Sequence, residues 1–362
     1  MEFGLSQEQE FLRDTLTKFL ADHAGLPRAR KFADGGERRA NDLWAGLVAL
    51  GVPGLTIGER HGGVGLTVLD AATIAQTLGS AIAPAPFVAT AVLVPRAIAR
   101  AGTPDQQAQW LPRLAAGEVI AGAALSEAGS GAREGAKVSA RTGKLSGKAL
   151  FVLDYEADMY LVADVSRRLY LIDANVQGLT RRPLTSIDTT RPIGELLFDG
   201  AAAELLPGSE DPAVLADLLD VGRVLLAADS LGAAQNMLQQ AVSYSLTREQ
   251  FGRPIGSFQA VKHMCAEMAA GLEPCQALVW YAAYAIDAGD NDARVTACHA
   301  KAHVAEIAKF VAKTATEVHG GMGFTDLLGL HYWFKRIGLN RQLLGSPERL
   351  REEAARLQGL IE

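Results

Sequence analysis

Apolar positions follow three successive patterns along the chain. Up to residue 118 they recur every three or four residues, the period of a helix with one buried face. Ser6 can cap the free amides at the start of the first helix, and Gln9, three residues on, completes a capping box. Phe11, Leu12, Leu16, Phe19 and Leu20 then form one buried stripe. A second helix from Asp42 to Leu50 is stopped by Gly51 and Pro53, and Thr103-Pro104 opens another. From residue 119 the runs shorten: Val119 to Leu125, Lys148 to Leu153, Met159 to Ala163, Leu169 to Ile172 and Glu195 to Phe198 read as strands. Turn residues Thr142-Gly143, Asn175 and Gly178 separate them. From Asp211 helical spacing returns in three long segments, Ala213 to Thr247, Phe258 to Ala288 and Val295 to Val318, long enough for an antiparallel bundle. The predicted class is α+β: a helical domain at 1–118, a small antiparallel β domain at 119–208 and a helical bundle at 209–362.

Composition narrows the function classes. The net charge of −6 argues against a nucleic-acid partner, which requires a basic surface. Ala71 to Pro95 carries no charge and has the length of a membrane span. Gln76, Gly79, Ser80, Pro84 and Pro86 interrupt it, so it reads as a buried helix followed by a turn. Cys265, Cys275 and Cys298 lack paired spacing, so neither a disulfide framework nor a metal site is expected. The start of the chain has no positively charged segment followed by an apolar one. The expectation is a cytoplasmic protein with no membrane partner.

The most specific segment runs from Thr247 to His263, Thr-Arg-Glu-Gln-Phe-Gly-Arg-Pro-Ile-Gly-Ser-Phe-Gln-Ala-Val-Lys-His. A helix break needs only Gly252, Pro254 and Ser257. Arg248, Phe251 and Gln259 together offer a guanidinium fork for phosphate, a flat ring, and an amide that both donates and accepts. The segment strongly resembles the acyl-CoA dehydrogenases. The resemblance covers nearly the whole chain and implies their fold, with a C-terminal four-helix bundle. In that family this segment crosses a subunit interface to the ADP half of the neighbour's FAD, so Arg248, Phe251 and Gln259 take those roles. A second match is Glu317-Val-His-Gly-Gly-Met-Gly-Phe-Thr325. Gly320 and Gly321 would let backbone amides approach a pyrophosphate, while Glu317 stands where the family commonly has a Gln that helps hold the cofactor. A third, Ser126-Glu-Ala-Gly-Ser-Gly-Ala-Arg133, resembles the flavin-facing segment. Ser126 keeps a hydroxyl for the ring edge, and Ala132 replaces a serine. Farther on, Phe151 stands where the family stacks an aromatic on the flavin, and Leu153 where it has a Thr beside the ring. Both also suit a buried strand.

The family reaction removes the α-proton of an acyl-CoA thioester with a carboxylate while the β-hydrogen leaves as hydride. It implies an acyl-CoA substrate, FAD as cofactor and electron-transfer flavoprotein as electron acceptor. Neither family location of the base holds a carboxylate. Leu344 occupies the C-terminal one. Gly222, followed by the retained Arg223, a substrate-binding candidate, occupies the one on the first long bundle helix. Asp229 lies seven residues beyond Gly222, nearly two turns and close to the same face. It is either a substitute base or an interface aspartate satisfied by hydrogen bonds. A good ADP arm, an altered ring half and no base resemble one subunit of the α2β2 acyl-CoA dehydrogenases of bacterial steroid side-chain degradation. The expectation is a base-lacking partner of a paralogous subunit, acting on a bulky CoA ester. A homotetramer using Asp229 and a non-catalytic flavin-binding scaffold are the alternatives.

Overall fold

A computed structural model describes residues 4–131, 133 and 135–362. The first unit holds α1 (Gln7–His23), α2 (Leu26–Asp34), α3 (Asn41–Ala49), α4 (Val68–Ser80), α5 (Val94–Ala101) and α6 (Pro104–Ala115). Ser6, Thr67 and Thr103 each form a reciprocal capping box with the residue three positions on, satisfying amides that the helix leaves free. The α1 stripe is narrower than expected. Leu16 and Leu20 are buried, whereas Phe11 is 74% exposed. At about 100° per residue, Phe11 falls well off the line through Leu12, Leu16 and Leu20. The uncharged stretch after residue 71 is a buried helix and then a turn. It continues into a π-helical segment, Val88–Leu93, that feeds α5. Among the described residues no helix is long and apolar enough to cross a membrane.

The middle unit is one eight-stranded sheet: β1 (Ala121–Ala124), β2 (Lys137–Arg141), β3 (Lys144–Leu153), β4 (Met159–Ala163), β5 (Leu169–Asp173), β6 (Leu179–Pro183), β7 (Ile193–Ala202) and β8 (Glu204–Leu205). A short helix, α7 (Ser126–Ser130), follows β1. The spatial order is β6-β7-β3-β1-β4-β5-β8, with β2 paired on β3. The sheet is not wholly antiparallel as expected, because β1 and β4 run parallel, Ala121 opposite Met159. The chain leaves β1 through α7 and returns in the β2–β3 hairpin on one side. The other side of β1 is left for β4, running in the same direction. The hairpin turn is Thr142-Gly143, with φ of 47° and 74°, the pair of left-handed residues that a two-residue hairpin favours.

The last unit is helical as expected and, among the described residues, holds α8 (Pro212–Thr247), α9 (Gln259–Ala288), α10 (Ala293–His319), α11 (Leu330–Gln342) and α12 (Pro347–Leu357). Between α8 and α9 lies a two-stranded arm, β9 (Glu249–Gln250) and β10 (Arg253–Pro254). Helix α4 packs along α8 at two glycines. A methyl group added at Gly79 would strike the Asp229 carbonyl, and one at Gly232 the Gln76 carbonyl. This close approach buries α8 from Val214 to Ala234 almost without interruption and places its middle where all three units meet.

Candidate functional site

A cavity of about 230 Å³ opens between the sheet and α11. Ser126, Glu127 and Arg133 line it from the α7 side, Phe151 from β3, and Gln342 and Leu343 from the end of α11. Its floor is an irregularity in β3, where the register shifts between Ala149 and Val152 and Phe151 adopts φ 52°. Two side chains of α7 clamp this bulge. The Ser126 hydroxyl donates to the Phe151 carbonyl at 2.9 Å, and the Leu150 amide donates to Glu127 Oε1 at 2.6 Å. Burial pushes the Glu127 carboxyl above its ordinary pKa, opposed by that backbone bond.

The two ring candidates that the resemblance implies, Ser126 and Phe151, line this one cavity. Ser126 is buried, with its hydroxyl turned onto its own chain. The Arg133 guanidinium lies 5.6 Å from the centroid of the Phe151 ring, within reach of a cation–π attraction. Leu153 is a core residue paired with Ala123 and Ile193, and it has no hydroxyl. Ala132 lies outside the described residues.

The ADP arm has the opposite character. Arg248, Phe251 and Gln259 are all exposed, Phe251 by 92%. Arg248 forms no ion pair with any described residue. The Gly320-Gly321 turn lies at the same end of the bundle, because Tyr244, one turn before Arg248, stacks on His319 with centroids 4.6 Å apart. His319 is buried and its Nδ1 donates to the Ala315 carbonyl at 2.7 Å. Burial lowers its pKa, so the ring acts as a neutral support. A methyl group at Gly320 or Gly321 would meet nothing within 4 Å, and Gly320 has φ 58° with ψ −140°, a combination that side-chain-bearing residues avoid. Glu317 is exposed and reaches Lys313 at 3.7 Å. A free guanidinium, a bare aromatic face and an unobstructed glycine turn suit an anionic, ring-bearing group such as the ADP half of FAD. None of these residues lines the 230 Å³ cavity, so arm and cavity serve different places.

The two positions expected to carry a base lie side by side. A methyl group at Gly222 would stand 2.5 Å from Leu344 Cδ1. Both residues are buried, and neither can take a proton. Arg223 is not free for substrate, correcting the expectation. Its guanidinium is buried and donates to Glu353 at 2.7 and 3.0 Å, to Asp220 at 3.0 Å and to the Leu344 carbonyl at 3.1 Å. Asp220, Cys298 and Glu353 place ligand atoms within 4.8 Å of one another, but this cluster is organised around the Arg223 cation.

Asp229 is engaged by two buried guanidinium groups and an amide. It receives Arg191 at 2.8 Å, Arg336 at 3.4 Å and Asn340 at 2.6 Å. Arg336 further holds Asp188 at 2.6 Å and Thr190 Oγ1 at 2.7 Å. Asp229 is 2% exposed and does not line the cavity. These bonds fit the interface reading of Asp229 and tie the β6–β7 loop to α8 and α11.

Family models described as the acyl-CoA dehydrogenase N-terminal and C-terminal domains match residues 6–118 and 213–358. Acyl-CoA dehydrogenase IpdE2 of Mycobacterium tuberculosis is 32% identical over 98% of each chain. In the ChsE4-ChsE5 complex from Mycobacterium tuberculosis, one chain superposes with a TM-score of 0.91 at 26% identity, covering 100% of both chains. A Tcur3481-Tcur3483 steroid ACAD variant gives a TM-score of 0.89 at 29% identity over 98% of each. The chain belongs to the acyl-CoA dehydrogenase family, whose members are FAD-binding oxidoreductases acting on CH–CH groups.

Proposed function

We propose that this chain is the base-lacking subunit of a heteromeric acyl-CoA dehydrogenase, supplying the ADP arm for FAD held mainly by a paralogous partner. The observation that carries this reading is a contrast within one molecule. The arm residues Arg248 and Phe251 stand exposed, while both base positions, Leu344 and Gly222, are closed and apolar. When bound, FAD supplies the hydride acceptor of the family reaction. This chain contributes charge and a stacking surface to its ADP half, and the proton must be removed by a carboxylate of another chain. Similarity to a two-protein complex and to a steroid ACAD supports an α2β2 assembly and a bulky, steroid side-chain CoA ester as substrate. Electron-transfer flavoprotein is the acceptor that the family chemistry implies.

The test is flavin content, subunit composition and turnover of the chain purified alone and co-expressed with a paralogue that carries its own glutamate. A flavin-poor, inactive protein alone and a yellow, active two-chain complex on co-expression are expected. A homomeric protein loaded with FAD and oxidising acyl-CoA unaided would overturn the reading.

A further inference from the structure

The Gly320-Gly321 turn is held from two sides, and only one of them belongs to the bundle. On the bundle side α10 ends at the turn, and Tyr244 stacks on His319. A methyl group at Gly323 would stand 2.5 Å from the Thr316 carbonyl, so the turn lies close against α10. On the other side the chain leaves through residues 324–328. Phe324, Asp326 and Leu327 are exposed, and Thr325 and Leu328 are half-buried. This loop therefore gains little from burying its own side chains.

Its support comes from α2, in the first unit. Arg30 Nη2 donates to the Asp326 and Leu327 carbonyls, to the latter at 2.9 Å, and Arg30 Nε lies 3.6 Å from Asp326 Oδ2. One turn earlier on α2, Leu26 seats the end of the loop. A methyl group at Gly329 would stand 2.4 Å from Leu26 Cδ1. Residues 26 and 30 share one face of the helix, so a single element grips the loop at two points. A guanidinium that brackets two successive carbonyls fixes the peptide planes between them, and its charge strengthens both bonds.

We propose that Arg30 is a positioning residue for the cofactor turn: from the first unit it presets the segment carrying Gly320 and Gly321 for the ADP half of FAD. The proposal rests on the proposed function in one respect, that this turn meets the ADP half. A loop ordered before binding loses no further freedom when the cofactor arrives. Without the guanidinium that ordering falls on the binding step, and affinity drops although no residue that touches FAD has changed.

The test compares wild type, Arg30→Ala and Arg248→Ala. In the full chain alone, chymotrypsin nicking after Phe324 and Leu327 is followed by mass spectrometry, beside the urea unfolding midpoint. The co-expressed complex is purified in FAD, and flavin release on dilution, read by fluorescence, gives its dissociation constant. Arg30→Ala should be nicked at least about tenfold faster with only a small shift of the midpoint. Its complex should bind FAD at least about tenfold more weakly. A merely structural arginine would lower the midpoint and leave the FAD constant of the assembled complex unchanged. That result, or nicking at the wild-type rate, overturns the proposal. Should Arg30→Ala not fold, Arg30→Gln takes its place with the same outcomes. Failure of the subunit assignment shows separately, as wild-type FAD affinity in the Arg248→Ala complex, and the nicking comparison then decides whether Arg30 holds the turn.

Discussion

Lys301 lies on the same face of α10 as Ala297, Val304 and Ala308, with 1% of its surface exposed. Its ammonium donates to the Asn340 carbonyl at 2.5 Å, near the end of α11, where a cation complements the helix dipole. Burial, and then the neighbouring Arg223 and Arg341 charges, lowers its pKa to about 7. Above that value the folded state has released a proton that the unfolded chain keeps until near 10.5. Stability therefore rises with pH across the interval, at a slope approaching 1.4 kcal/mol per unit. Asp154 and Asp220, raised to about 6 by burial, act below this interval. Cys275 and Cys298, pushed up to about 11 and about 12, oppose it only once unfolded thiols ionise. Urea unfolding between about pH 7 and pH 8.5 should show the rise, and Lys301→Met should flatten it. The residue was legible as a lysine interrupting an apolar stripe at helical spacing, a signal that the motif-led reading passed over.

The long helices were legible almost to their ends, because one period persists over many turns and the capping residues are local. Ser6, Gln9 and Thr103 form the bonds that their sequence order implies. The sheet was less so. Both Lys137–Arg141 and Leu179–Pro183 are largely exposed; the first alternates only through Val138 and Ala140, and the second has no apolar alternation. The parallel β1–β4 pairing depends on which side of β1 is taken first, which short runs do not encode. The inward turn of Ser126 follows from the β3 bulge, and the meeting of Gly222 with Leu344 from α11 and α12 folding back onto α8. Neither is a property of local pattern. Asp229 shows what the elements gain from a buried network: two arginines and two aspartates join the β6–β7 loop to α8 and α11. Asp229→Asn leaves Arg191 and Arg336 under-compensated and should lower unfolding free energy by about 3–5 kcal/mol, read by urea denaturation. Unchanged stability with turnover lost would instead return Asp229 to a role in proton abstraction.

At the scale of the whole molecule, chemistry is unevenly distributed. The arm end keeps an unpaired guanidinium, an exposed ring and an open glycine turn. The cavity end has its serine turned inward, a guanidinium over the aromatic, and leucine and glycine at the two base positions. The residue types at both ends were visible in the sequence through the family resemblance. Their separation into one exposed arm and one closed site required the fold. The measurement that tests this division most directly is FAD per co-expressed complex after Arg248→Ala in this chain alone. Arg248 is exposed and forms no ion pair among the described residues, so the variant chain should fold with stability within about 0.5 kcal/mol of wild type. The complex should lose most of its flavin and turnover although every partner residue is intact. Retention of wild-type flavin and activity by that complex would contradict it.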